Sequence, residues 1–386
     1  MFLKWIFTFW NIITMTFVNI YIYKLFDSFE YVTFYNILLY TSLFIWFSFF
    51  WYFIWKFNIN IKKLFYLSFL NFLISFLLLF FINSDFYWII FFTLFYWIWM
   101  GNYYCSIQSY EIKDISDKKR DFYSSILSVW IKVLYIIVPL IVSLIFYLSD
   151  IFSYNEPYKL LFLLIPILYL LSLFFIKDLK PYSPIRVKLK SYKKFFNMKN
   201  KNILLYFLTD SITFTIPSIL ITILLIDILK TEITLWILQS LFSLFSIFLI
   251  LLFSTKRNSN NRNKIMFYSW IIIFINFIFL WFNLNFIWLI TYYIIDNIVS
   301  PFYKISVQIY DLKFISNIKY NKSDFFPSMI FRESILWFWR IFSLIIILII
   351  IKYNPNNLEN VFSYSFLILW FFYILSPLFI KLEENK

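Results

Sequence analysis

Residues 86–116 read FYWIIFFTLFYWIWMGNYYCSIQSYEIKDIS, and residues 286–316 read FIWLITYYIIDNIVSPFYKISVQIYDLKFIS. Aligned without a gap at an offset of 200, the two stretches share eleven identical residues in 31, more than a composition rich in Ile and Phe gives by chance. Glu111 and Asp311 form a conservative match in the same alignment, and Asp27 matches Asp227 at the same offset. The chain therefore contains two related halves.

The composition of the chain is that of a membrane protein. Hydrophobic residues make up 62% of the 386 residues and charged residues 14%, whereas a soluble domain has roughly 45–50% and about 25%. The mean hydropathy is +0.79. Intrinsic disorder is excluded because the chain has 55 Phe and 30 Tyr residues, far too many for a segment that stays unfolded in water.

Twelve apolar stretches are long enough to cross a bilayer, whose core of roughly 30 Å needs about 20 helical residues. We predict spans at 5–23, 31–55, 64–82, 86–109, 122–148, 159–176, 202–228, 233–253, 265–282, 286–309, 327–351 and 361–380. Strands are excluded because the stretches are too long and lack alternation. The sequence thus predicts an all-α membrane protein with two pseudo-symmetric six-helix bundles, residues 1–176 and 202–386, joined by a basic cytoplasmic linker at 177–201.

The distribution of basic residues predicts the orientation of the spans. The formal net charge is +14, and 27 of the 34 Lys and Arg residues flank the spans on one side, against four on the other. Because basic residues concentrate in cytoplasmic loops, both termini are predicted to be cytoplasmic. Met1 to Lys4 lead directly into the first span, without a cleavage site for a signal peptide. The positive charge thus reflects topology, and we expect no nucleic-acid partner.

The residue types that the chain lacks exclude several kinds of chemistry. There is no His, so an imidazole-based metal site or catalytic relay is excluded. The single Cys and the single Gly exclude an internal disulfide and a glycine-rich phosphate loop. We expect no cofactor, no metal and no enzymatic activity, because a membrane glycosyltransferase needs acidic residues on a larger outer loop and membrane-bound acyltransferases depend on His.

The 6+6 layout, the cytoplasmic termini, the long central loop and the repeat together resemble the major facilitator superfamily. Local motifs agree less well: Trp55–Lys63 keeps only the basic end of the family's loop between spans 2 and 3. Arg332-Glu333 with Arg340 resembles a pattern at span 11 of bacterial members, with Trp339 in place of Gly. The resemblance implies a secondary transporter in which spans 1, 4, 7 and 10 line a central cavity, spans 2, 5, 8 and 11 flank it, and the others face lipid.

Ionisable residues in the middle of spans are the candidate functional residues. Lys132 and Asp296 lie about 15 Å into their spans, Arg340 about 20 Å and Asp210 about 12 Å, at 1.5 Å per residue. A charge at the bilayer centre costs at least about 2.5–3.5 kcal/mol, so these residues are expected to face a cavity or a partner. All four lie on spans that the resemblance assigns to the cavity or its flanks. The alternative is that they form static ion pairs, and Asp210 could also cap its helix.

A second set of charged residues lies at the predicted cytoplasmic helix ends. These residues are candidates for an inner gate of ion pairs, the alternative being ordinary solvated loop charge; they are Glu111, Arg120, Asp311, Arg332 and Glu333. Lys304, near the end of span 10, is interpreted as a lysine that extends toward the interface.

The predicted function is secondary active transport of a small organic solute by alternating access, coupled to protons. Without His, only a carboxylate can carry a proton at working pH, and Asp296 is the candidate. A fixed cation suits an anionic or polar solute, and neutral hydrogen bonds are available from Asn11, Thr14, Asn19 and Gln108. A lipid or polysaccharide flippase remains an alternative. We expect a monomer in the bacterial cytoplasmic membrane whose partners are the bilayer, the solute and protons.

Overall fold

The structure is a computed structural model that describes most of the chain. The described residues are 2–57, 59–81, 86–114, 117–152, 156–179, 232–254, 262–282, 286–317, 325–354 and 360–368, with the single residues 207, 211, 220, 221 and 224. Across these ranges the chain is helical and contains no strand. The predicted span at 202–228, the linker and the end of the last predicted span lie outside the described residues.

Helices of the first half follow the predicted spans closely. The first span is divided into α1 (Phe2–Ile13), a π-helical segment (Thr14–Val18) and α2 (Asn19–Phe26). The next helices are α3 (Phe29–Phe57), α4 (Ile61–Phe80), α5 (Phe86–Asp114), α6 (Asp117–Ile151), α7 (Pro157–Tyr169) and α8 (Ser172–Lys177). The helix α6 begins five residues before the predicted span, in a charged stretch outside the apolar region.

The second half contributes α9 (Glu232–Ser254), α10 (Arg262–Phe282), α11 (Phe286–Asn317) and α12 (Phe325–Tyr353), and residues 360–368 are also helical. Six helices in the described part of the chain are long and apolar enough to cross a membrane. Their span-length portions are Phe29–Phe49, Ile61–Phe80, Phe122–Ile151, Pro157–Lys177, Lys264–Phe282 and Ile330–Tyr353. The chain is therefore an integral membrane protein built from helices.

The chain divides into two compact units that differ from a simple cut at the linker. The first unit comprises the described residues of Met1–Ser116, Leu140–Lys194 and Ile318–Trp337. The second comprises those of Asp117–Pro139, Phe195–Asn317 and Phe338–Lys386. The helices α6 and α12 each contribute one part to each unit. In α6 the change occurs at Pro139, which cannot donate a backbone hydrogen bond within the helix.

Packing in the first unit centres on α5, which lies against both α3 and α4. Trp99 of α5 is fully buried and donates a hydrogen bond from Nε1 to the Tyr169 hydroxyl at 3.0 Å. Its carbonyl accepts a bond from the Ser68 hydroxyl of α4 at 3.2 Å. Large aromatic side chains thus fill most of this interface, and a small residue is needed only where two backbones approach.

That small residue is Gly101, the one glycine of the chain. A Cβ atom at Gly101 would lie 3.2 Å from the backbone N of Phe47 and 3.4 Å from the carbonyl carbon of Trp46. Both atoms belong to the backbone of α3, which cannot rotate away as a side chain can. The close contact between α3 and α5 therefore favours a residue without a side chain, as helix crossings in membranes often do.

We expect Gly101→Ala to destabilise the protein by about 1–3 kcal/mol, because the added methyl group forces α3 away from α5. This figure is the net change: the strain from the added methyl group outweighs the gain of about 1 kcal/mol that Ala brings to a helix relative to Gly. The measurement is the thermal unfolding midpoint of the purified protein in one detergent. Ser106→Ala is the control, since it adds no atoms on the same helix. A Gly101→Ala protein as stable as the parent would show that the helices separate freely.

The π-helical segment interrupts the first span between α1 and α2. Two side chains bond backbone carbonyls at this segment: the Thr14 hydroxyl donates to the Trp10 carbonyl at 2.9 Å, and Asn19 Nδ2 donates to the Met15 carbonyl at 2.7 Å. The Asn19 Oδ1 atom accepts a bond from Asn36 Nδ2 of α3 at 2.9 Å. The buried pair of Asn19 and Asn36 therefore ties the first two spans together just beyond the π-helical segment.

Packing in the second unit centres on α11, which lies against α9 and α10. The buried Asn276 of α10 donates from Nδ2 to the Tyr292 carbonyl of α11 at 2.9 Å. The ring of Phe277 lies 5.3 Å from that of Tyr292, centroid to centroid. The helix α11 is thereby fixed next to α10, and its remaining faces carry the polar residues described below.

Candidate functional site

Lys132 is a buried cation of the second unit. It lies in the middle of α6, and 9% of the residue is exposed. Its ammonium group donates a hydrogen bond to Asn297 Oδ1 of α11 at 2.8 Å. The same group lies 5.8 Å from the ring centroid of Tyr135, one turn along α6, in cation–π geometry. Lys132 thus obtains its solvation from an amide oxygen and an aromatic face.

Asn297 is held in place by both of its polar groups. Its Nδ2 atom donates to the Tyr293 carbonyl at 2.9 Å, one turn earlier in α11, which leaves Oδ1 directed to Lys132. The Asn297 carbonyl accepts a hydrogen bond from the Ser246 hydroxyl of α9. One residue therefore joins α6, α9 and α11 through hydrogen bonds, and a buried network of this kind is rigid when every member has a partner.

Asp296 precedes Asn297 and lies next to this network. Its side chain is half-buried. Within the described part of the chain, its carboxylate forms no hydrogen bond and no ion pair, and the hydrogen bond of Lys132 goes to Asn297 instead. The carboxylate interacts electrostatically with the ammonium of Lys132 and the phenols of Tyr135, Tyr292 and Tyr293. The structure thus brings Asp296 near Lys132 without making them a direct pair.

The structure gives less information on the other two midspan candidates, Arg340 and Asp210. Arg340 lies on the part of α12 that belongs to the second unit, with a half-buried side chain, and its carbonyl accepts a bond from the Ser343 hydroxyl at 2.8 Å. Asp210 lies outside the described residues. Their participation in a substrate or proton pathway therefore stays a prediction.

Asn297 is the residue of this site that the sequence analysis missed. A neutral Asn in the middle of a span gives a weaker signal than a charge, and the adjacent Asp296 carries the stronger signal. The available signal was spacing: Tyr293 and Asn297 are four residues apart on one helix face, beside the only midspan acid of span 10. A polar residue next to a membrane-buried charge is a candidate partner for a cation elsewhere in the bundle.

Of the candidate inner-gate residues, Glu111 has a partner in the first unit that the sequence did not predict, whereas the pairing of Arg332 with Glu333 joins residues that are adjacent in the sequence. Glu111 forms an ion pair with Lys4, which joins the end of α5 to the start of α1. The Tyr103 hydroxyl donates to the Leu3 carbonyl at 3.3 Å and supports the same contact. Arg332 and Glu333 are paired at 2.9 Å. The side chains of the remaining gate candidates, Arg120 and Asp311, lie outside the described residues, and the gate stays a prediction.

The neutral side chains of the first span that were predicted to bond the solute already form hydrogen bonds with other protein groups. Asn19 and Thr14 are buried and bonded as described above. Asn11 is half-buried and accepts a bond from the Tyr96 hydroxyl of α5 at a long 3.5 Å. The Gln108 side chain lies outside the described residues. Among the residues that the structure places, no group of three or more His, Cys, Asp or Glu side chains could hold a metal ion.

Comparison with known proteins shows the fold. No protein-family model matches the sequence, and no curated protein matches it. Three solved structures superpose on most of the chain. The human organic anion transporter MFSD10 (TETRAN) has a TM-score of 0.62 at 10% identity, covering 89% of this chain and 83% of its own.

Two structures of a bacterial homologue of the iron transporter ferroportin, both in the outward-facing state, are similar to the chain. The structure with soaked iron has a TM-score of 0.62 at 11% identity and covers 98% of this chain and 96% of its own. The other structure has a TM-score of 0.64 at 12% identity, and it covers 99% of this chain and 96% of its own. The chain therefore has a fold of the major facilitator type, as its sequence predicts.

Proposed function

We propose that this protein is a secondary active transporter that moves a small organic solute across the bacterial cytoplasmic membrane by alternating access, coupled to protons. It acts as a monomer with twelve transmembrane helices in two six-helix halves, residues 1–176 and 202–386, with 177–201 as the linker and both termini cytoplasmic. The fold supports transport in general, because the structural neighbours are transporters. The solute and the coupling are proposed from the residues of this chain.

The observation that carries the proposal is the buried Lys132 bonded to Asn297, with Asp296 beside it. Holding a cation at this depth costs several kcal/mol, which packing alone does not explain, since Leu would fill the same space without that cost. A neutral partner keeps the full positive charge available. The site therefore suits a solute with a negative or strongly polar group, which the ammonium can bind when the solute enters.

Asp296 is the proposed proton carrier. When ionised, its carboxylate attracts Lys132 and competes with both Asn297 and a bound solute. When protonated, it leaves Lys132 bonded to Asn297 and able to bind the solute. The other titratable groups around it are the phenols of Tyr135, Tyr292 and Tyr293, which stay neutral near pH 7. Proton binding at Asp296 thus favours solute binding at Lys132, which is the linkage that symport requires.

The remaining candidates complete the proposed route. Arg340 and Asp210 act as further charges of the pathway. The set of Glu111, Arg120, Asp311, Arg332 and Glu333 forms an inner gate whose ion pairs break and reform as access alternates. In the structure Glu111 is paired with Lys4, which joins α5 to α1 within the first unit.

The experiment is transport by the purified protein in liposomes loaded with a panel of labelled carboxylates, phosphates, sugars and amines. We expect exchange of at least one solute above protein-free liposomes, and inward accumulation when the exterior is acidified. A pH-sensitive dye inside the vesicles should report proton entry only while that solute is present. Exchange without proton movement would overturn the coupling, and neither exchange nor solute-dependent proton movement for any member of the panel would overturn transport.

A further inference from the structure

Polar residues form a continuous row along one face of α6. Ser124, Ser128, Lys132 and Tyr135 follow at intervals of four, four and three residues, which places them on one side of a helix. The Ser128 hydroxyl donates to the Ser124 carbonyl at 2.9 Å. Ser124 is fully buried, yet its hydroxyl has no hydrogen-bond partner among the described residues. This row leads from Lys132 toward the predicted cytoplasmic end of the helix.

The helix α11 carries a matching row. Tyr293, Asn297, Ser300 and Lys304 follow at intervals of four, three and four residues, and Ser300 is buried. Lys304 is exposed and lies seven residues beyond Asn297, roughly 10 Å along the helix axis toward the predicted cytoplasmic end. The hydrogen bond from Lys132 to Asn297 joins the two rows within the second unit.

The helix α9 adds serines at the level of the junction. Ser246 bonds the Asn297 carbonyl, and Ser243, less than one turn away, is fully buried. The Ser243 hydroxyl is, like that of Ser124, without a partner among the described residues. Buried hydroxyls without partners are uncommon in proteins, because each costs free energy unless a ligand or water satisfies it. Ser124 lies in the row of α6 and Ser243 lies less than one turn from Ser246 on α9, so both hydroxyls, which have no partner within the described part of the chain, are free to donate to a group that binds beside the joined rows.

Lys304 and Lys132 influence one another electrostatically. Two positive charges on connected polar rows repel each other, and an anion between them is attracted by both. If Lys304 only extended toward the membrane interface, neither the buried serines near it nor Lys132 at midspan would be expected. The sequence-based interpretation of Lys304 as an interfacial lysine therefore accounts for its position but not for these neighbours.

We propose that the solute is a small organic anion, bound through carboxylate or phosphate oxygens, and that Lys304 captures it before Lys132 binds it at midspan. This inference rests on the proposed transport function and names its substrate class. The serine hydroxyls of α6, α9 and α11 donate hydrogen bonds to the anion between the two lysines. A phosphate on a lipid headgroup offers the same oxygens as a soluble anion, and the experiment distinguishes the two sources.

The test measures anion binding without transport. Protein in nanodiscs of phosphatidylcholine alone is mixed with succinate or glycerol phosphate, and intrinsic tryptophan fluorescence gives association and dissociation rates. Neutral succinamide and glycerol are the uncharged probes. We expect Lys304→Gln to weaken binding roughly 10-fold or more, mainly through slower association and a smaller dependence on salt. Lys132→Gln should act mainly through faster dissociation. Lys304→Arg should retain binding, because it keeps the charge.

Lys264→Gln is the matched control, since Lys264 is an exposed lysine of the same unit, on α10. Equal slowing by Lys264→Gln and Lys304→Gln would show a general surface-charge effect and overturn the proposal. Binding of succinamide as tight as that of succinate would also overturn it. A second set of nanodiscs contains anionic lipid in addition to phosphatidylcholine. If the soluble anions bind only weakly and the anionic lipid displaces them through Lys304, the soluble anion is excluded and a lipid headgroup is the ligand. Anion binding that depends on Lys304 in a protein without transport would separate this inference from the proposed function.

Discussion

Replacement of Asp296 by Asn is expected to abolish solute accumulation driven by a pH gradient while exchange across the membrane continues. Asn has nearly the size and hydrogen bonding of the acid but cannot take up or release a proton. Lys132 has Asn297 as its hydrogen-bond partner in either case, so the variant keeps its fold. The measurement compares gradient-driven uptake with solute exchange at equal pH in the same liposomes, and uptake should fall to the level of exchange.

Asp27→Asn is the matched control for this variant. Asp27 is an exposed acid that ends α2 in a left-handed backbone conformation, with φ of 48°, which Asn also tolerates. The Asp27→Asn variant removes one carboxylate far from midspan, so it should leave proton coupling unchanged. Full gradient-driven uptake by a stable Asp296→Asn protein would exclude the coupling role. A loss of roughly 3–5 kcal/mol in stability would show instead that the carboxylate serves to neutralise a buried cation.

Replacement of Asn297 by Leu is expected to destabilise the protein by about 3 kcal/mol or more, the largest loss among the single variants. Leu has a similar volume but leaves the buried ammonium of Lys132 without its 2.8 Å acceptor. An unsatisfied neutral group costs about 1–3 kcal/mol and a charged one more. The thermal unfolding midpoint in one detergent measures the loss.

Asn276→Leu provides a matched control for Asn297→Leu. Asn276 is as buried and donates to a neutral carbonyl at 2.9 Å, so its loss should cost only about 1 kcal/mol. The double variant Lys132→Met with Asn297→Leu should be more stable than Asn297→Leu alone, because both partners are then apolar. Equal losses in the two Asn→Leu variants, with no recovery in the double variant, would show that Lys132 does not depend on Asn297.

The sequence predicts the helices well because membrane spans have a strong physical signal. A run of about 20 apolar residues has few alternatives to a helix in lipid, and the predicted spans from 31–55 to 159–176 each coincide with helical structure. The extension of α6 to Asp117 was not predicted, since nothing limits a helix to the apolar part of a chain. The repeat between 86–116 and 286–316 predicted two related helices, and α5 and α11 have closely corresponding bounds.

Partners of the charged residues could be predicted only in part. Depth follows from position along a span, so Lys132 and Asp296 were both predicted to lie about 15 Å into their spans. In the structure Lys132 bonds Asn297, the residue that follows Asp296. Side-chain contacts depend on helix rotation and spacing, which composition does not contain. The pairing of Glu111 with Lys4 joins residues 107 positions apart, and the bond of Lys132 to Asn297 joins residues 165 apart. Neither follows from local sequence.

The π-helical segment of the first span acts as a register shift. A π-helical turn accommodates one residue more than a regular turn, so every side chain after Val18 is rotated by about 100° relative to an uninterrupted helix. This rotation brings Asn19 to the face that meets Asn36. Deleting one residue within Thr14–Val18 would therefore allow a continuous helix that still presents Asn19 to Asn36, whereas a regular helix of unchanged length would turn Asn19 away from its partner. In an alignment with a relative whose first span is regular, a one-residue gap belongs inside this segment, and the polar residues on either side of it should be matched separately.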